Sequence, residues 1–497
     1  MTISSAVDLS AVARVVGIKT SFVNLRAGNV VYLPQRIAVV GQGSSAAVYS
    51  ANKAQYNRAN DVGAAYGYGS PLHMAAKQLL PNNGDGVGSI PVTFYPLSDA
   101  GGATAAVGGV LPSGATTGAG TIEVQAANVT TGTLTFASGL SVAAQVAALI
   151  AAINAVTDMP VIASGTVSLV LTAKWKGASG NDIKVEVIAD TSLGATYGIT
   201  QPAAGATNPD VTPALAQMGS VWETLVLNCL NVSDTTALDV FRTTGEGRWG
   251  ALIRKPFVAF VGNTAAAVAT ATTVSAARAS DRINAQLVSP GSTDFPAAVA
   301  ARQLARIAVI ANNNPAQDYG GLPADTLVPG PDGSQWLFAS RDQAVKAGSS
   351  TIEVRDGVVT LSDIVTFYAP ANDPTPAYRY VCDIVKLMNI IFNLDLIFAT
   401  QEWNGAPLIP DDQPTVNPAA KKPKTAKAAA AALLDSLGLN AIISDPATAK
   451  KNLQAAINAQ NPKRLDLSVT VQLCGNTNII SVDLNFGFYF GVQPLVA

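Results

Sequence analysis

The sequence contains few charged residues. Only 13% of its 497 residues are Asp, Glu, Lys or Arg, about half of the ~25% that is usual in soluble proteins. Hydrophobic residues make up 48%. A monomer of this composition would have a poorly solvated surface, so we expect copies of the chain or other proteins to cover much of it. The net charge of -2 argues against a general nucleic-acid-binding protein, which would carry a basic face.

Histidine and cysteine are also scarce. His73 is the only histidine, so a Ser-His-Asp hydrolase would depend on it as its base, and it cannot form a His-rich metal site alone. It lies at the start of a predicted helix, which favours a packing role. Cys229, Cys382 and Cys474 follow no disulfide or zinc spacing and are interpreted as buried free thiols of a reducing compartment. We predict no catalytic residue, metal or cofactor.

Signals for export and for membrane insertion are missing. The N-terminal residues show no basic start followed by an apolar core, so no secretory signal is predicted. The most apolar long segment, residues 380–398, carries Asp383, Lys386 and Asp395. Each charge would cost about 2.5–3.5 kcal/mol at a membrane midplane, so the segment is predicted to be a core helix. Its polar residues, which include Asn389 and Asn393, form a stripe at helical spacing.

One loop partly matches a nucleotide-binding motif. The segment from Gly41 to Ala46 (GQGSSA) follows an apolar strand, and Asp61 lies twenty residues after Gly41. This resembles the dinucleotide fingerprint, but there the acidic residue should end a second strand, and residues 56–69 do not read as one. A strand-to-helix turn is favoured. A nucleotide-linked α/β enzyme that uses this loop is the alternative function.

The order of predicted elements indicates an α/β central domain. Short apolar strands alternate with helices, which is typical of a mainly parallel sheet covered on both faces. The predicted strands are residues 36–41, 90–95, 224–228, 257–261 and 283–288. The predicted helices are residues 71–80, 213–220, 265–277 and 296–311.

A segment of different composition interrupts this pattern. Residues 98–205 are rich in Gly, Ala, Thr and Ser and read as strand, helix and further strands. We predict a small β-rich domain inserted into the sheet domain. Residues 101–120 form its predicted entry loop, which is flexible by composition.

From residue 331 the pattern changes to an α+β C-terminal domain. It contains predicted strands at 352–355, 358–361 and 364–368, with a turn at Asp356-Gly357, and predicted helices at 380–398, 428–437 and 448–459. The predicted division of the chain has five parts. They are an N-terminal arm (1–30), the discontinuous central domain (31–97 and 206–330), the inserted outer domain (98–205), the C-terminal assembly domain (331–486) and a C-terminal arm (487–497).

The last thirty residues alternate between apolar and polar side chains. Leu467 to Leu473 form one such run, and residues 480–492 form a second, with period two, the mark of strands with one buried face. The second run would reach roughly 43 Å at about 3.3 Å per residue. For residues 467–486 the pattern favours a hairpin that closes the last domain. For residues 487–497 it favours a strand lent to another subunit, as in β-augmentation.

Both ends of the chain therefore supply candidate residues for strand pairing between subunits. The N-terminal alternation is compatible with either an extended arm or a disordered tail. The candidate pairing residues are Val12, Arg14, Val16, Ile18, Phe22, Ile480, Val482, Leu484, Phe486, Phe488, Phe490 and Val492.

A single basic run stands out in the C-terminal third. Residues 421–427 read KKPKTAK, and the favoured interpretation is a solvated loop. The alternative is an electrostatic contact with an acidic partner through Lys421, Lys422, Lys424 and Lys427.

Several segments, taken in order, resemble the tail sheath proteins of contractile-tailed phages, in particular those of the Mu-like kind. They are residues 33–42 (LPQRIAVVGQ), 66–77 (YGYGSPLHMAAK), 90–96 (IPVTFYP), 171–183 (LTAKWKGASGNDI), 312–329, ending LPADTLVP, and 461–466 (NPKRLD). Their order and spacing carry the resemblance, which covers nearly the whole chain. The Gly-rich stretch 101–120 and the lysine run depart from it.

The resemblance implies a structural protein of the virion. The family's central domain is sometimes called subtilisin-like, but this chain lacks a plausible triad, so no protease activity is implied. The expected assembly is a helical stack of hexameric rings around a tail tube, formed in the host cytoplasm, with arms that pair as strands in neighbouring C-terminal domains. Its contraction would drive the tube through the host envelope. Expected partners are other copies of the chain, the tail tube protein, and baseplate and tail terminator proteins. Nucleic acid and membrane are not expected as partners, and the lysine run is the candidate contact with the tube.

Overall fold

The computed structural model describes residues 30–371, 378–478, 480–484 and 486. The strands of this part of the chain are β1 (Ile37–Gln42), β2 (Ala54–Gln55), β3 (Val92–Leu97), β4 (Ala105–Pro112), β5 (Gly120–Ala126), β6 (Val129–Thr130), β7 (Leu134–Phe136), β8 (Val161–Gly165), β9 (Leu169–Lys176), β10 (Val185–Ala189), β11 (Tyr197–Ala203), β12 (Leu225–Asn228), β13 (Val258–Asn263), β14 (Asn284–Val288), β15 (Ile352–Arg355), β16 (Val358–Leu361), β17 (Ile443–Ser444), β18 (Gln454–Ile457), β19 (Leu465–Ser468) and β20 (Gln472–Leu473). The α-helices are α1 (Ala59–Tyr66), α2 (Pro71–Leu79), α3 (Val142–Ala155), α4 (Thr212–Ala216), α5 (Thr235–Trp249), α6 (Val268–Ala271), α7 (Thr273–Ala276), α8 (Pro296–Asn313), α9 (Phe338–Lys346), α10 (Val381–Phe398), α11 (Pro423–Leu439) and α12 (Pro446–Asn452).

A six-stranded sheet forms the centre of the chain, in the order β14-β13-β12-β1-β3-β2. Its first five strands are parallel, and only the short edge strand β2 runs antiparallel. Every residue of the five parallel strands is buried. Such strands carry continuous apolar runs because helices cover both faces of a parallel sheet. The prediction of a mixed α/β fold with a mainly parallel sheet is confirmed.

Strand β1 shows how the two faces are filled. Ile37 and Val39 point into a large core that also contains Leu304 of α8. Ala38 and Val40 point into a second core with Phe241 of α5. The sequence analysis missed α5, which contains two glycines. At Gly245 a side chain would collide with Ile283, so this glycine allows the helix to lie close to the sheet.

Within residues 98–205 the chain forms two antiparallel sheets and the α-helix α3. One sheet has the order β10-β5-β6, with β7 also paired to β5, and the other has the order β11-β4-β9-β8. Their strands pair with one another and with none of the strands of the central sheet. The predicted strand, helix and strand sequence of this segment is confirmed. Its status as a separate domain, like the rest of the domain division, stays a prediction.

The predicted entry loop at 101–120 is wrong, because β4 lies inside it and is an internal strand of its sheet. The loop was predicted from the glycine content of this stretch, which includes Gly108 and Gly109 of β4. A side chain at Gly108 would meet the carbonyl oxygen of Thr200, and one at Gly109 would meet that of Leu169. The glycines therefore permit a close approach of neighbouring strands instead of making a loop.

The C-terminal part follows the predicted α+β pattern with three corrections. The predicted hairpin at 467–486 is wrong, because β19 pairs with β18, β20 pairs with β17, and residues 480–484 and 486 lie in no strand. The turn at Asp356-Gly357 joins β15 to β16 and has positive φ at both residues, as a tight hairpin turn requires. The predicted helix at 448–459 ends at Asn452, after which β18 pairs with β19. Tertiary pairing therefore overrides the helical propensity of this Ala-rich segment. The predicted strand at 364–368 is reduced to one bridge, between Val365 and Tyr380.

Helix α10 is the predicted core helix. Nine of its eighteen residues are buried, including Lys386 and Asn389. Among the described residues, no helix combines the length and hydropathy needed to cross a membrane. Cys229 and Cys382 are buried free thiols, and Cys474 is a half-buried one.

His73 is part of the core around α2. Its side chain is 1% exposed, and its Nδ1 accepts a hydrogen bond from the backbone N–H of Gly69 at 3.1 Å. The ring also packs edge-on against Tyr68, with 5.0 Å between the centroids. Burial lowers the pKa of His73 to about 4. The neutral imidazole therefore serves as a hydrogen-bond acceptor that holds the turn before α2.

We predict that His73 makes the fold sensitive to mild acid. Its folded pKa of about 4 lies below the ordinary value of 6.5, so its contribution to stability is complete above pH 6.5 and is lost as pH falls toward 4. Between pH 7.5 and pH 5 the free energy of unfolding should fall by about 2 kcal/mol through this residue. Urea unfolding at the two pH values measures this loss.

His73→Asn is the matched comparison, because the Asn carbonyl oxygen can replace Nδ1 as acceptor but does not titrate. Asp182, whose pKa burial raises to about 6, contributes with the opposite sign over part of the same window. The difference between wild type and variant isolates the histidine. An equal loss of stability in both proteins would contradict the prediction.

Candidate subunit interface

A strip of exposed apolar side chains lies near the end of the described chain. Ile480, Val482, Leu484 and Phe486 are 78%, 76%, 76% and 90% exposed. In the described part of the chain, residues 480–484 and 486 belong to no strand and pair with none. A contiguous apolar surface of this kind usually marks a binding site. Their regular alternation is typical of a strand whose partner is missing.

The hairpin β18–β19 offers two strand edges. The two strands pair antiparallel from Gln454↔Ser468 to Ile457↔Leu465, and in the described residues neither strand has a second neighbour. The pair β17–β20 is likewise two-stranded within the described residues. A strand edge presents unpaired N–H and C=O groups, which can template a further strand. A two-stranded hairpin is also only marginally stable without further packing.

An apolar groove runs beside β19. It has a volume of about 640 Å³ and lies between the hairpin and the loop that follows α10. Phe398 and Trp403 form one wall, with ring centroids 5.1 Å apart, and Leu465 and Leu467 of β19 contribute to the other. The remaining lining residues are Gly405, Ala406, Pro407, Leu408, Pro462 and Lys463. An open strand edge next to an apolar groove is the arrangement that accepts an added strand, because the edge binds the backbone and the groove binds alternate side chains.

The four lysines of the basic run do not form one exposed patch. Lys421 is 6% exposed, pairs with Glu402 and lies 5.3 Å from the ring centroid of Trp403. Lys422 is half-buried and donates to the carbonyl of Gln413. Lys424 and Lys427 are exposed on the first turns of α11. Of these two, Lys424 also donates from Nζ to the carbonyl of Asp411 at 3.3 Å.

The loop from Gly41 to Ala46 lacks the geometry of a dinucleotide site. It does not open a helix, because α1 begins only at Ala59. Its backbone amides are already used: Gly43 donates to the hydroxyl of Tyr49 at 3.1 Å, Ser44 to the carbonyl of Tyr66 at 2.7 Å and Ser45 to that of Lys174 at 2.8 Å. The glycine-containing turn therefore joins β1 to the segment 98–205 through β9.

The structure brings together only part of the predicted pairing set. Ile480, Val482, Leu484 and Phe486 lie on the exposed strip, whereas Phe488, Phe490 and Val492 lie outside the described residues. The N-terminal candidates also lie outside them, namely Val12, Arg14, Val16, Ile18 and Phe22. The groove was not predicted from the sequence. The residue that could have indicated it is Trp403, an aromatic residue in a segment otherwise typical of a solvated loop.

Comparison with known proteins confirms the resemblance to Mu-like tail sheath proteins. The chain is 27% identical over 336 residues to the Mu-like prophage FluMu tail sheath protein of Haemophilus influenzae. The matched region covers 65% of this chain and 66% of that protein, so the chain spans just under two thirds of the relative's length. No family model matches the chain.

Solved structures of low sequence identity are also similar. The sheath tail protein of Desulfitobacterium hafniense is 12% identical, with a TM-score of 0.45, and the match covers 92% of this chain and 99% of that one. A sheath tail protein of Listeria innocua is 13% identical, with a TM-score of 0.47, covering 91% of this chain and 94% of that one.

Proposed function

We propose that this chain is a structural subunit of a phage contractile tail sheath, and not an enzyme. The proposal rests on two features that occur in the same chain. One is the exposed strip from Ile480 to Phe486, and the other is the open-edged hairpin with its apolar groove. Each feature has the chemistry to bind the other. Similarity to the FluMu tail sheath protein supports the proposal independently.

The proposed links between subunits are strands donated by the two ends of the chain. The C-terminal segment from Ile480 onward enters the C-terminal part of a second copy, and the segment that contains Val12 to Phe22 does the same toward another neighbour. Head-to-tail contacts that do not close into a ring generate helical assemblies. In the proposed particle they connect hexameric rings that are stacked around a tail tube.

Contraction follows from the difference between the two kinds of contact. Backbone pairing keeps neighbouring subunits connected, while weaker polar contacts between their cores allow rotation and sliding. The extended sheath is metastable in this proposal, and a trigger at the baseplate starts a change to a better-packed lattice. The change drives the tube through the host envelope. The further partners are the tube, baseplate and tail terminator proteins, and the subunit's place is the tail sheath of the virion, assembled in the host cytoplasm.

The domain division assigns a place to each part. Residues 331–486 form the assembly domain, residues 31–97 and 206–330 the central domain, and residues 98–205 the outermost domain. Among the candidate tube contacts, Lys424 and Lys427 are exposed, whereas Lys421 is buried in an ion pair with Glu402. An acidic tube surface would therefore meet α11 through the exposed pair.

Removal of residues 487–497 is predicted to abolish polymerisation without unfolding the subunit. The reason is that the deletion removes Phe488, Phe490 and Val492, three of the seven alternating apolar side chains of the proposed donated strand. Negative-stain electron microscopy of the purified full-length protein should show hollow tubes, and the truncated protein should remain as soluble subunits with an unchanged melting temperature. Tubes of normal length from the truncated protein would refute the arm.

A single charge on the exposed strip is predicted to weaken assembly. Val482→Lys places an ammonium group on the apolar face that enters the groove, where burial of an unpaired charge is costly. The critical concentration for polymerisation, measured by sedimentation, should rise at least 10-fold, which corresponds to about 1.4 kcal/mol.

Ser481→Lys is the matched control for this variant. It adds the same charge one residue away, on the opposite face of the same extended segment, and Ser481 is exposed like Val482. Its critical concentration should stay within about 2-fold of wild type, as expected for an exposed surface substitution. Equal effects of the two variants would show that charge, and not the apolar face, decides assembly.

A further inference from the structure

Helix α10 carries buried polar side chains along one face. Asp383, Lys386, Asn389 and Asn393 are three or four residues apart, so they lie above one another on the helix. Lys386 and Asn389 are 0% exposed and Asn393 is 3% exposed. Buried polar groups need hydrogen-bond partners. Asn389 and Asn393 donate to carbonyls of the helix itself, and the other partners lie in two segments from opposite ends of the chain.

The first segment is residues 30–33, which we call the N-terminal root. Asn393 bonds both backbone groups of Val31. Its Oδ1 accepts from the Val31 N–H at 3.0 Å, and its Nδ2 donates to the Val31 carbonyl at 2.9 Å. Asn389 accepts from the N–H of Leu33 at 2.8 Å. The two amides thus bond the backbone of Val31 and Leu33 in place of a neighbouring strand, and Ser436 of α11 accepts from the Val30 N–H at 2.8 Å.

The second segment is residues 474–476, which we call the C-terminal root. The Lys386 ammonium group donates to the Cys474 carbonyl at 2.7 Å and to Asn476 Oδ1 at 2.5 Å, and it pairs with Asp383 at 3.0 Å. Asn476 in turn donates to the carbonyl of Ala316 at 2.9 Å. The Cys474 N–H is bonded to the carbonyl of Ile442.

The chemistry of each side chain fits the root that it holds. The N-terminal root offers a donor and an acceptor at Val31, which one amide side chain can bind together. The C-terminal root offers two oxygen acceptors, which suit an ammonium group with three donors. Lys386 and Asn393 are seven residues apart, or roughly 10 Å at about 1.5 Å per residue. Both roots therefore cross the same face of one helix within two turns.

We propose that the polar face of α10 is a shared anchor for both terminal segments. It fixes where each segment leaves the subunit and joins the two through one rigid helix. Given the proposed function, a load on one donated strand passes to the other through α10, and the central sheet does not carry it. The anchor itself is a property of the single subunit, so it can be tested without polymerisation.

Hydrogen–deuterium exchange on the subunit tests the anchor. Asn393→Leu should speed exchange of the Val31 amide at least 10-fold, and Lys386→Met should do the same for the Cys474 amide, because each loses the side chain that holds its root. If Asn393→Leu does not fold, Asn393→Ala provides the same test with a smaller side chain. Wild-type exchange at both roots in these variants would overturn the proposal.

Asn154→Leu is a closely matched control. Asn154 lies in α3 and holds the backbone of Ala163 by the same pair of bonds, each 2.9 Å long. This variant removes identical chemistry from a helix of segment 98–205 and should speed exchange only around Ala163. Faster exchange of Val31 or Cys474 in this control would show that loosening is general and would overturn the assignment to α10.

Sheared polymers test the shared path. After fixed sonication, Asn393→Leu and Lys386→Met polymers should be shorter than wild type, and Asn154→Leu polymers should match it. If the two root attachments carry the load in series, a polymer breaks at the weaker attachment. The double variant Asn393→Leu/Lys386→Met should therefore give fragments as short as those of the single variant with the shorter fragments. Markedly shorter fragments would show two independent attachments and overturn the shared anchor. A wild-type protein that forms no polymers would refute the proposed function, and amide exchange would still decide the anchor.

Discussion

The unpaired backbone of a strand edge is the constraint on which the C-terminal part of this structure depends. Strands β18 and β19 satisfy each other along one side only, and in the described residues the opposite edges have no partner strand. The same chain exposes Ile480, Val482, Leu484 and Phe486 to solvent. Either feature alone would be a liability for a soluble monomer. Together they are the proposed donor and acceptor of the strand pairing between subunits.

Amide side chains hold several backbone segments of this chain in place by hydrogen bonds. Asn393 and Asn154 each clamp one backbone position with two bonds, and Asn208 bonds Ala178 and Asp234. An amide can satisfy a buried N–H and a C=O at once without the desolvation cost of a charge. This explains how a chain with 13% charged residues fixes long irregular segments. The N-terminal root at α10 is the clearest case.

The central fold could be predicted from the sequence because its signals are local. Fully buried strands such as β1 and β13 alternate with helices. In the C-terminal part, the Asp356-Gly357 turn likewise predicts the β15–β16 hairpin. The incorrect predictions concern residues whose secondary structure is decided by contacts with residues distant in the sequence. Gly108 and Gly109 read as a loop but permit close strand packing, and residues 454–457 read as a helix but pair with β19.

The candidate interface was predictable only on its donating side. The alternation of residues 480–486 is visible in the sequence, since period two is a local pattern. The accepting groove is built from Trp403 and Leu465, which are sixty-two positions apart in the sequence and meet only in the fold. The hydrogen-bond partners of Lys386 and Asn393 likewise could not be predicted from the sequence. The polar stripe that contains these two residues was correctly predicted to lie on a core helix.

The bonds between segment 98–205 and the central sheet limit where movement can occur in the proposed sheath. Gln42 of β1 donates to Asp99 and to the carbonyl of Lys176, at 2.9 and 2.6 Å, and Asn208 ties the returning chain to α5 through Asp234 at 2.7 Å. Segment 98–205 is thus held at both its departure and its return. In the proposed sheath these bonds are kept, and the change of lattice takes place between subunits. In this proposal the donated terminal segments take up the change, because backbone pairing survives a change in direction that a packed core would not.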